Sequence, residues 1–284
     1  MTPLRQQMID AMRQRGFSPR THQSYLYAVT SLARHYRRSP AELTSEQLQG
    51  YFNYLVQQRA LSPATCRLQL HGIRFLYLNV LGRDTMEVSL VVPRRAQRIP
   101  ELLTRRDIQR IFRAATTPRH RMMFELAYGC GLRVSELVAL RVRDVDGERQ
   151  LLRVEQGKGA KDRLVTVSPA LLARLRDYWS GFRPVGWFFP CPYDSRCHVC
   201  VSSVQRAYSK ARQVSGVGKR GGIHSLRHAY ATHQLESGMP IHELQRQLGH
   251  KDMATTQRYL HWLPGQHRCR EGSMDLIARL QDHD

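Results

Sequence analysis

The stretch IHSLRHAYATH, Ile223 to His233, places three histidines and an arginine within eleven residues. His224 and His228 stand four apart, so on a helix they share a face and have the spacing to hold a metal ion. Arg227 beside them repels a cation and favours an anion. Metal site, anion site and crowded surface are three readings of one stretch, and the rest of the chain separates them.

The chain has 284 residues of 42% hydrophobic composition, enough for two ordinary domains with a core each. Lys and Arg number 44 against 23 Asp and Glu, a formal net charge of +21. An excess of that size, rich in arginine and spread along the whole length, points to a polyanion, most simply nucleic acid. A basic amphipathic membrane binder would concentrate its charge on one helix, and no apolar run approaches the roughly 18 residues of a spanning helix. Met8, Ile9 and Met12 stand among charged and polar residues, unlike the core of a signal peptide. The expectation is a soluble, cytoplasmic protein with no membrane partner. Six cysteines, Cys66, Cys130, Cys191, Cys197, Cys200 and Cys269, are too few and too clustered for a disulfide scaffold, which leaves reduced thiols.

The first ninety or so residues read as a helical bundle. Tyr25, Val29, Leu32, Ala33 and Tyr36 recur at three- and four-residue intervals. Ser18 before Pro19 and Ser62 before Pro63 mark helix starts, and Thr44 with Gln47 makes a capping box. Arg20, Arg59, Arg67 and Arg74 lie between the apolar positions, as suits a surface laid along phosphates. The helical period lapses between Gly82 and Glu101, where VVPRRAQRIPELLT reads as an extended linker. The expected organisation is therefore a helical domain over 1–88, a linker over 89–101 and a second domain over 102–284.

That second domain alternates in type. Thr104 with Asp107 opens a helix through Ala114, and the run from Met122 to Leu132 ends in GCGLR. Leu152 and Val154, then GKGAK, then Leu164, Val165 and Val167 read as a hairpin. Helical patterns follow over Ala170 to Trp179, Val204 to Val214, Leu226 to Leu235 and Ile241 to Leu248. The fold class is mainly α with a small antiparallel β-sheet. GKGAKDR is not a phosphate-binding loop, because the spacing is wrong and it sits between strands. What remains is Lys158 at a hairpin tip with Lys161 and Arg163 behind it. Arg133 stands before a helix whose first turn holds Ser135 and Glu136, and His250 precedes Tyr259 by nine residues.

Taken together, these residues resemble the tyrosine recombinases, the phage integrase family, with a likeness to bacterial Xer-type and integron-type integrases. The resemblance spans the chain, the helical part being like the family's core-binding domain and the remainder like its mixed α/β catalytic domain. GCGLRVSELVAL resembles the first arginine motif and assigns Arg133; QGKGAKDRLVTV resembles the lysine hairpin and assigns Lys158, with Lys161 as second choice. HSLRH matches the His-x-x-Arg box at His224 and Arg227, LGH assigns His250, and TTQRYLH assigns Tyr259 as nucleophile.

The resemblance implies a site-specific recombinase that cleaves and rejoins double-stranded DNA through a 3′-phosphotyrosyl link, with no cofactor and no catalytic metal. A free tyrosine has a pKa of about 10, so about one phenol in a thousand is ionised at neutral pH and the attack needs help. Arg133 and Arg227 are implied as the phosphate clamp and Lys158 as the acid for the leaving 5′-oxygen. His224 is left between accepting the phenolic proton and holding the phosphate, while His228 and His233 are expected to pack or cap within their helix.

The segment GWFFPCPYDSRCHVCVSS departs from the family pattern. Cys191, Cys197 and Cys200, with His198, offer a structural zinc site, against which stand their cramped spacing and the alternative of an inert thiol loop. The tail carries His267, Arg268 and Arg270 and then Met274, Leu276, Ile277 and Leu280 at amphipathic spacing. By resemblance, such a tail docks on a neighbouring protomer and builds a homotetramer on two DNA sites, which implies a place on the bacterial nucleoid. A fold kept for DNA binding alone, and a metal-dependent nuclease using His224 and His228, are the competing readings. The full set of catalytic residues opposes the first and the lack of a carboxylate cluster opposes the second.

Overall fold

Hydroxyl residues and prolines set the starts of the helices in the amino-terminal part. Helix α1 (Pro3–Gln14) is capped by Thr2, α2 (Pro19–Tyr36) by Ser18 and α4 (Pro63–Phe75) by Ser62, each with proline in its first turn. Thr44 and Gln47 form the reciprocal capping box of α3 (Ser45–Gln57). Helix α4 runs on into a π-helical turn at Leu76–Val80. The computed structural model describes residues 2–86, 88–89, 101–155 and 162–262. The hairpin tip with Lys158 and Lys161, the linker stretch 90–100 and the tail from 263 onward lie outside the described residues.

Two compact units divide the chain, Met1–Arg98 and Ile99–Asp284. In the first, Met8, Met12, Leu32, Phe52, Ile73 and Tyr77 form the core. Helices α2 and α4 pack closely at Gly72, where a Cβ would stand 3.0 Å from Ala28 Cβ and from the Tyr25 backbone. Glycine is what lets the two helices approach.

The second unit is built around α6 (Pro118–Gly129). Six consecutive residues of it, Met122 to Ala127, are buried, which marks a helix enclosed on all sides. Around it pack α5 (Arg105–Arg113), α7 (Val134–Val138), α8 (Pro169–Phe182), α9 (Val201–Val214) and α10 (His224–Glu236). A three-stranded antiparallel sheet, β1 (Val145–Asp146), β2 (Leu151–Val154) and β3 (Arg163–Thr166), stands in that order. Val154 pairs with Arg163 at the end of the ladder nearest the hairpin tip. Helices α11 (Ile241–Leu248) and α12 (Met253–Gln257) complete the unit. The sheet is tied to α11 by Gln247, whose side-chain oxygen accepts from the Thr166 amide at 3.1 Å and whose Nε2 donates to Thr166 Oγ1 at 2.9 Å.

The structure does not gather Cys191, Cys197 and Cys200 into a metal site. Among the described residues, no three His, Cys, Asp or Glu side chains gather to hold a metal ion. The segment is closed by peptide groups instead: the Cys191 N–H donates to Cys197 O at 2.8 Å and the Val199 N–H to Phe189 O at 2.9 Å. Cys200 takes the N-cap position of α9, and both it and Cys197 are exposed. Cys66 and Cys130 are buried free thiols.

Candidate active site

Arg133 is the N-cap of α7, and its backbone N–H donates to Glu136 Oε2 at 2.9 Å while its Nη1 donates to Glu136 Oε1 at 2.7 Å. The same carboxylate receives Arg163, from the first position of β3, through bonds of 2.8 and 2.7 Å. Burial pushes the Glu136 carboxyl up. The hydrogen bonds and charge of Arg163, with those of Arg133, outweigh that and bring it down to about 2. Glu136 is thus a fixed anion. It holds two guanidiniums at set angles and lies 3.9 Å from a third, Arg227.

Arg227 is 1% exposed and, among the described residues, the largest fully buried side chain. Its Nη1 donates to Gly131 O at 2.5 Å and its Nη2 to Leu248 O at 2.6 Å. Arg133 Nη2 likewise donates to Gly249 O at 3.2 Å. Carbonyls at the ends of α6 and α11 therefore orient the two family-motif arginines. Gly131 makes its turn at φ +59, and a Cβ there would meet Tyr230 Cδ1 at 2.5 Å. Burial and the neighbouring Arg133 lower the Arg227 pKa to about 10, still well above neutrality, so it remains a cation. Three guanidiniums, Arg133, Arg163 and Arg227, surround one carboxylate and leave a surplus of two positive charges. That surplus suits a phosphodiester.

Tyr259 follows α12 and is 3% exposed. Its ring lies parallel to that of His250, 8° between planes and 6.2 Å between centroids. His250 Nε2 accepts from Arg227 Nη2 at 3.1 Å and its Nδ1 pairs with Thr256 Oγ1 at 2.9 Å. Burial first, then Arg227 and Arg133, lower the His250 pKa to about 4, so the ring is neutral at physiological pH. Burial raises the Tyr259 phenol above its ordinary value, and Arg227 and Arg133 pull against it. His224 begins α10, and its pKa is lowered by burial, Arg227 and Arg133.

Five of the six residues marked by sequence, Arg133, His224, Arg227, His250 and Tyr259, thus converge on one place. The sixth, Lys158, lies outside the described residues. His233 packs as expected, its Nδ1 2.9 Å from the Tyr128 hydroxyl. His228 packs edge-on against His224 of its own helix, and its Nδ1 also lies 3.1 Å from Tyr259 Oη, a contact the sequence reading did not include. Sequence reasoning also missed Glu136 and Arg163 as organisers of the clamp. The available signal was charge, since a carboxylate beside Arg133 and an arginine opening a strand each need a partner when buried.

The sequence matches the Phage integrase family over residues 101–265 and the phage integrase N-terminal SAM-like domain over residues 4–87. The chain belongs to the phage integrase family. Similar proteins include y4qK of Sinorhizobium fredii, whose name places it among integrases and recombinases, 39% identical over 98% of this chain and 91% of that one. The tyrosine recombinase XerA of Thermococcus onnurineus is 34% identical over 86% of this chain and 85% of its own. In fold, the recombinase is like lambda integrase solved as a tetramer bound to a Holliday junction, with a TM-score of 0.72 and 17% identity, covering 95% of this chain and 78% of that one. The recombinase is a site-specific enzyme of the tyrosine type, which cleaves and rejoins DNA strands. Among the described residues, no helix is long and apolar enough to cross a membrane.

Proposed function

We propose that Tyr259 attacks a DNA phosphodiester held by Arg133, Arg227, His224 and His250, while Lys158 protonates the leaving 5′-oxygen. The observation that carries this reading is the seat of Tyr259, stacked on a histidine that Arg227 itself holds. The phosphorus passes through a pentacoordinate state with extra charge on its non-bridging oxygens, and fixed donors lower that barrier. Each such donor is worth about 3 kcal/mol. The 3′-phosphotyrosyl product keeps the ester energy, so a 5′-hydroxyl from a second duplex reseals the strand without ATP or a catalytic metal.

In this reading, residues 1–88 form a core-binding domain whose Arg20, Arg59, Arg67 and Arg74 run along phosphates, 89–101 is the linker, and 102–284 is the catalytic domain with its tail. Four protomers assemble on two DNA sites by exchanging tails; the lambda integrase tetramer, a chain of similar fold, supports this reading. The net charge of +21 supports residence on the nucleoid.

The test uses a library of duplexes randomised around a nick, from which covalently attached DNA is recovered and sequenced. The wild-type enzyme is expected to become joined through Tyr259 to a 3′-phosphate. Tyr259→Phe should bind the recovered duplex and form no adduct; an adduct that survives this change would sink the assignment.

A further inference from the structure

The hydroxyl of the nucleophile already has a partner. Among the described residues, the one side-chain hydrogen bond of Tyr259 Oη is to His228 Nδ1, at 3.1 Å. The His228 ring is braced by His224, edge-on at 5.0 Å from the preceding turn of α10, and by Trp262, edge-on at 5.7 Å. Trp262 also stands edge-on to the Tyr259 ring at 5.2 Å, so the three rings fix how the phenol meets the imidazole. We propose that His228 is a catalytic residue of the recombinase, the base that takes the phenolic proton as Tyr259 attacks. The proposal rests on the reading of Tyr259 as the nucleophile.

In the cleavage step the Oη–P bond forms as the P–O5′ bond breaks. The Oη proton passes to His228 Nδ1, and O5′ takes a proton from Lys158. Rejoining reverses each transfer: the incoming 5′-hydroxyl gives its proton to Lys158, and the departing phenolate recovers its own from His228. No other reactant is needed.

The two other imidazoles of the site are less suited to the task. His250 has both ring nitrogens engaged: Nε2 accepts from Arg227, which leaves Nδ1 as the N–H that donates to Thr256 Oγ1. His224 meets the ring of His228 and not the hydroxyl. His228 is also in the right protonation state. The groups facing it are His224 and Arg227 from its own helix, with Tyr259 and Trp262 from the segment after α12. Burial first, then His224 and Arg227, push its pKa to about 4, so at neutral pH its nitrogen is free to accept. The imidazolium formed during attack gains the negative charge of the bound phosphate as a neighbour.

The test is single-turnover adduct formation on the nicked duplex recovered with the wild-type enzyme, alongside a binding assay and a melting curve. His228→Phe keeps a ring in place and removes the acceptor, and is expected to slow cleavage about a hundredfold or more with DNA binding unchanged. His228→Asn keeps an acceptor where Nδ1 stands but cannot carry the proton away, and should stay slow. Cleavage by His228→Phe at or above the wild-type rate overturns the proposal, because the histidine would then only hold the resting phenol. Full rescue by His228→Asn overturns it as well, since orientation alone would suffice. If the phenylalanine variant does not fold, the asparagine variant decides. Adduct formation by Tyr259→Phe would instead strike at the nucleophile itself, a separate failure.

Discussion

Arg163 and Glu136, 27 residues apart, meet through two parallel hydrogen bonds of 2.8 and 2.7 Å, and each side chain is less than a tenth exposed. The pair joins the strand that leaves the Lys158 hairpin to the helix that Arg133 caps. A fork-to-fork ion pair in that position fixes distance and angle together.

Glu136→Gln is expected to lower stability by up to about 3 kcal/mol at neutral pH, the value of a carboxylate held near 2 instead of its ordinary 4.5. Because the folded pKa is depressed, this contribution is present above pH 4.5 and fades as pH falls through about 2. His228 and His250 act earlier, since both stay neutral down to about pH 4 while the unfolded chain takes up protons below 6.5. Melting curves from neutral pH downward should therefore show a first loss between 6.5 and 4 in both proteins. The further acid loss from Glu136 should be absent in the glutamine variant.

Gly131→Ala should destabilise the catalytic unit by about 2–4 kcal/mol, combining the cost of a left-handed alanine with overpacking. The added Cβ would meet Tyr230 Cδ1 at 2.5 Å and displace the carbonyl that Arg227 holds. Cleavage should fall further than stability alone explains. Measuring both at a temperature where the variant remains folded separates the two effects.

The reach of the sequence follows the range of the interactions. Capping boxes at Thr44–Gln47 and Thr104–Asp107 are contacts three residues long, and both were legible and stand in the structure. The apolar period reads α11 over its full observed span, Ile241–Leu248, and the helix ends at a left-handed Gly249. Strand β1, two residues long, carries no period to read. The contacts that tune the site are of the opposite kind: His228 reaches Tyr259 across 31 residues, and Arg227 reaches the carbonyl of Gly131 across 96. Motif residues name the atoms of the site, while the carbonyls of Gly131, Leu248 and Gly249 set the angles of its arginines without a local signature; Glu136, three residues from Arg133, is the local exception.

Lys158→Ala should slow cleavage by about 10²–10⁴-fold if the lysine protonates the leaving oxygen. A substrate whose scissile 5′-oxygen is replaced by sulfur needs no such proton, because a thiolate leaves readily. That substrate should restore Lys158→Ala and leave His228→Phe slow. Equal restoration of both would show that one of the two roles is misassigned.

Chelation should leave the reaction untouched. His228 is committed to Tyr259, and Arg227, adjacent in sequence, sets a permanent positive charge beside the pair that a metal reading requires. Cleavage in excess EDTA is expected to match the untreated enzyme, and Cys197→Ser with Cys200→Ser should neither change metal content nor shift melting. Loss of activity restored by a divalent ion would overturn the phosphate-clamp reading.

Cleavage should occur in cis, within one protomer. Tyr259 stacks on His250 and bonds to His228 of its own chain, and that His250 is held by the chain's own Arg227, so one polypeptide supplies both clamp and nucleophile. Mixing Tyr259→Phe with Arg227→Ala tests this directly. An enzyme cutting in trans would recover activity in mixed assemblies, where an intact tyrosine from one protomer meets an intact arginine from another. A cis enzyme would not, because every protomer then lacks one half of its site. The mixture is expected to form no adduct on the recovered nicked duplex, while each variant mixed with wild type keeps the adduct from the wild-type protomers. Adduct formation between the two defective proteins would mean that Tyr259 leaves its resting seat on His250 and His228 to work in a neighbour's site.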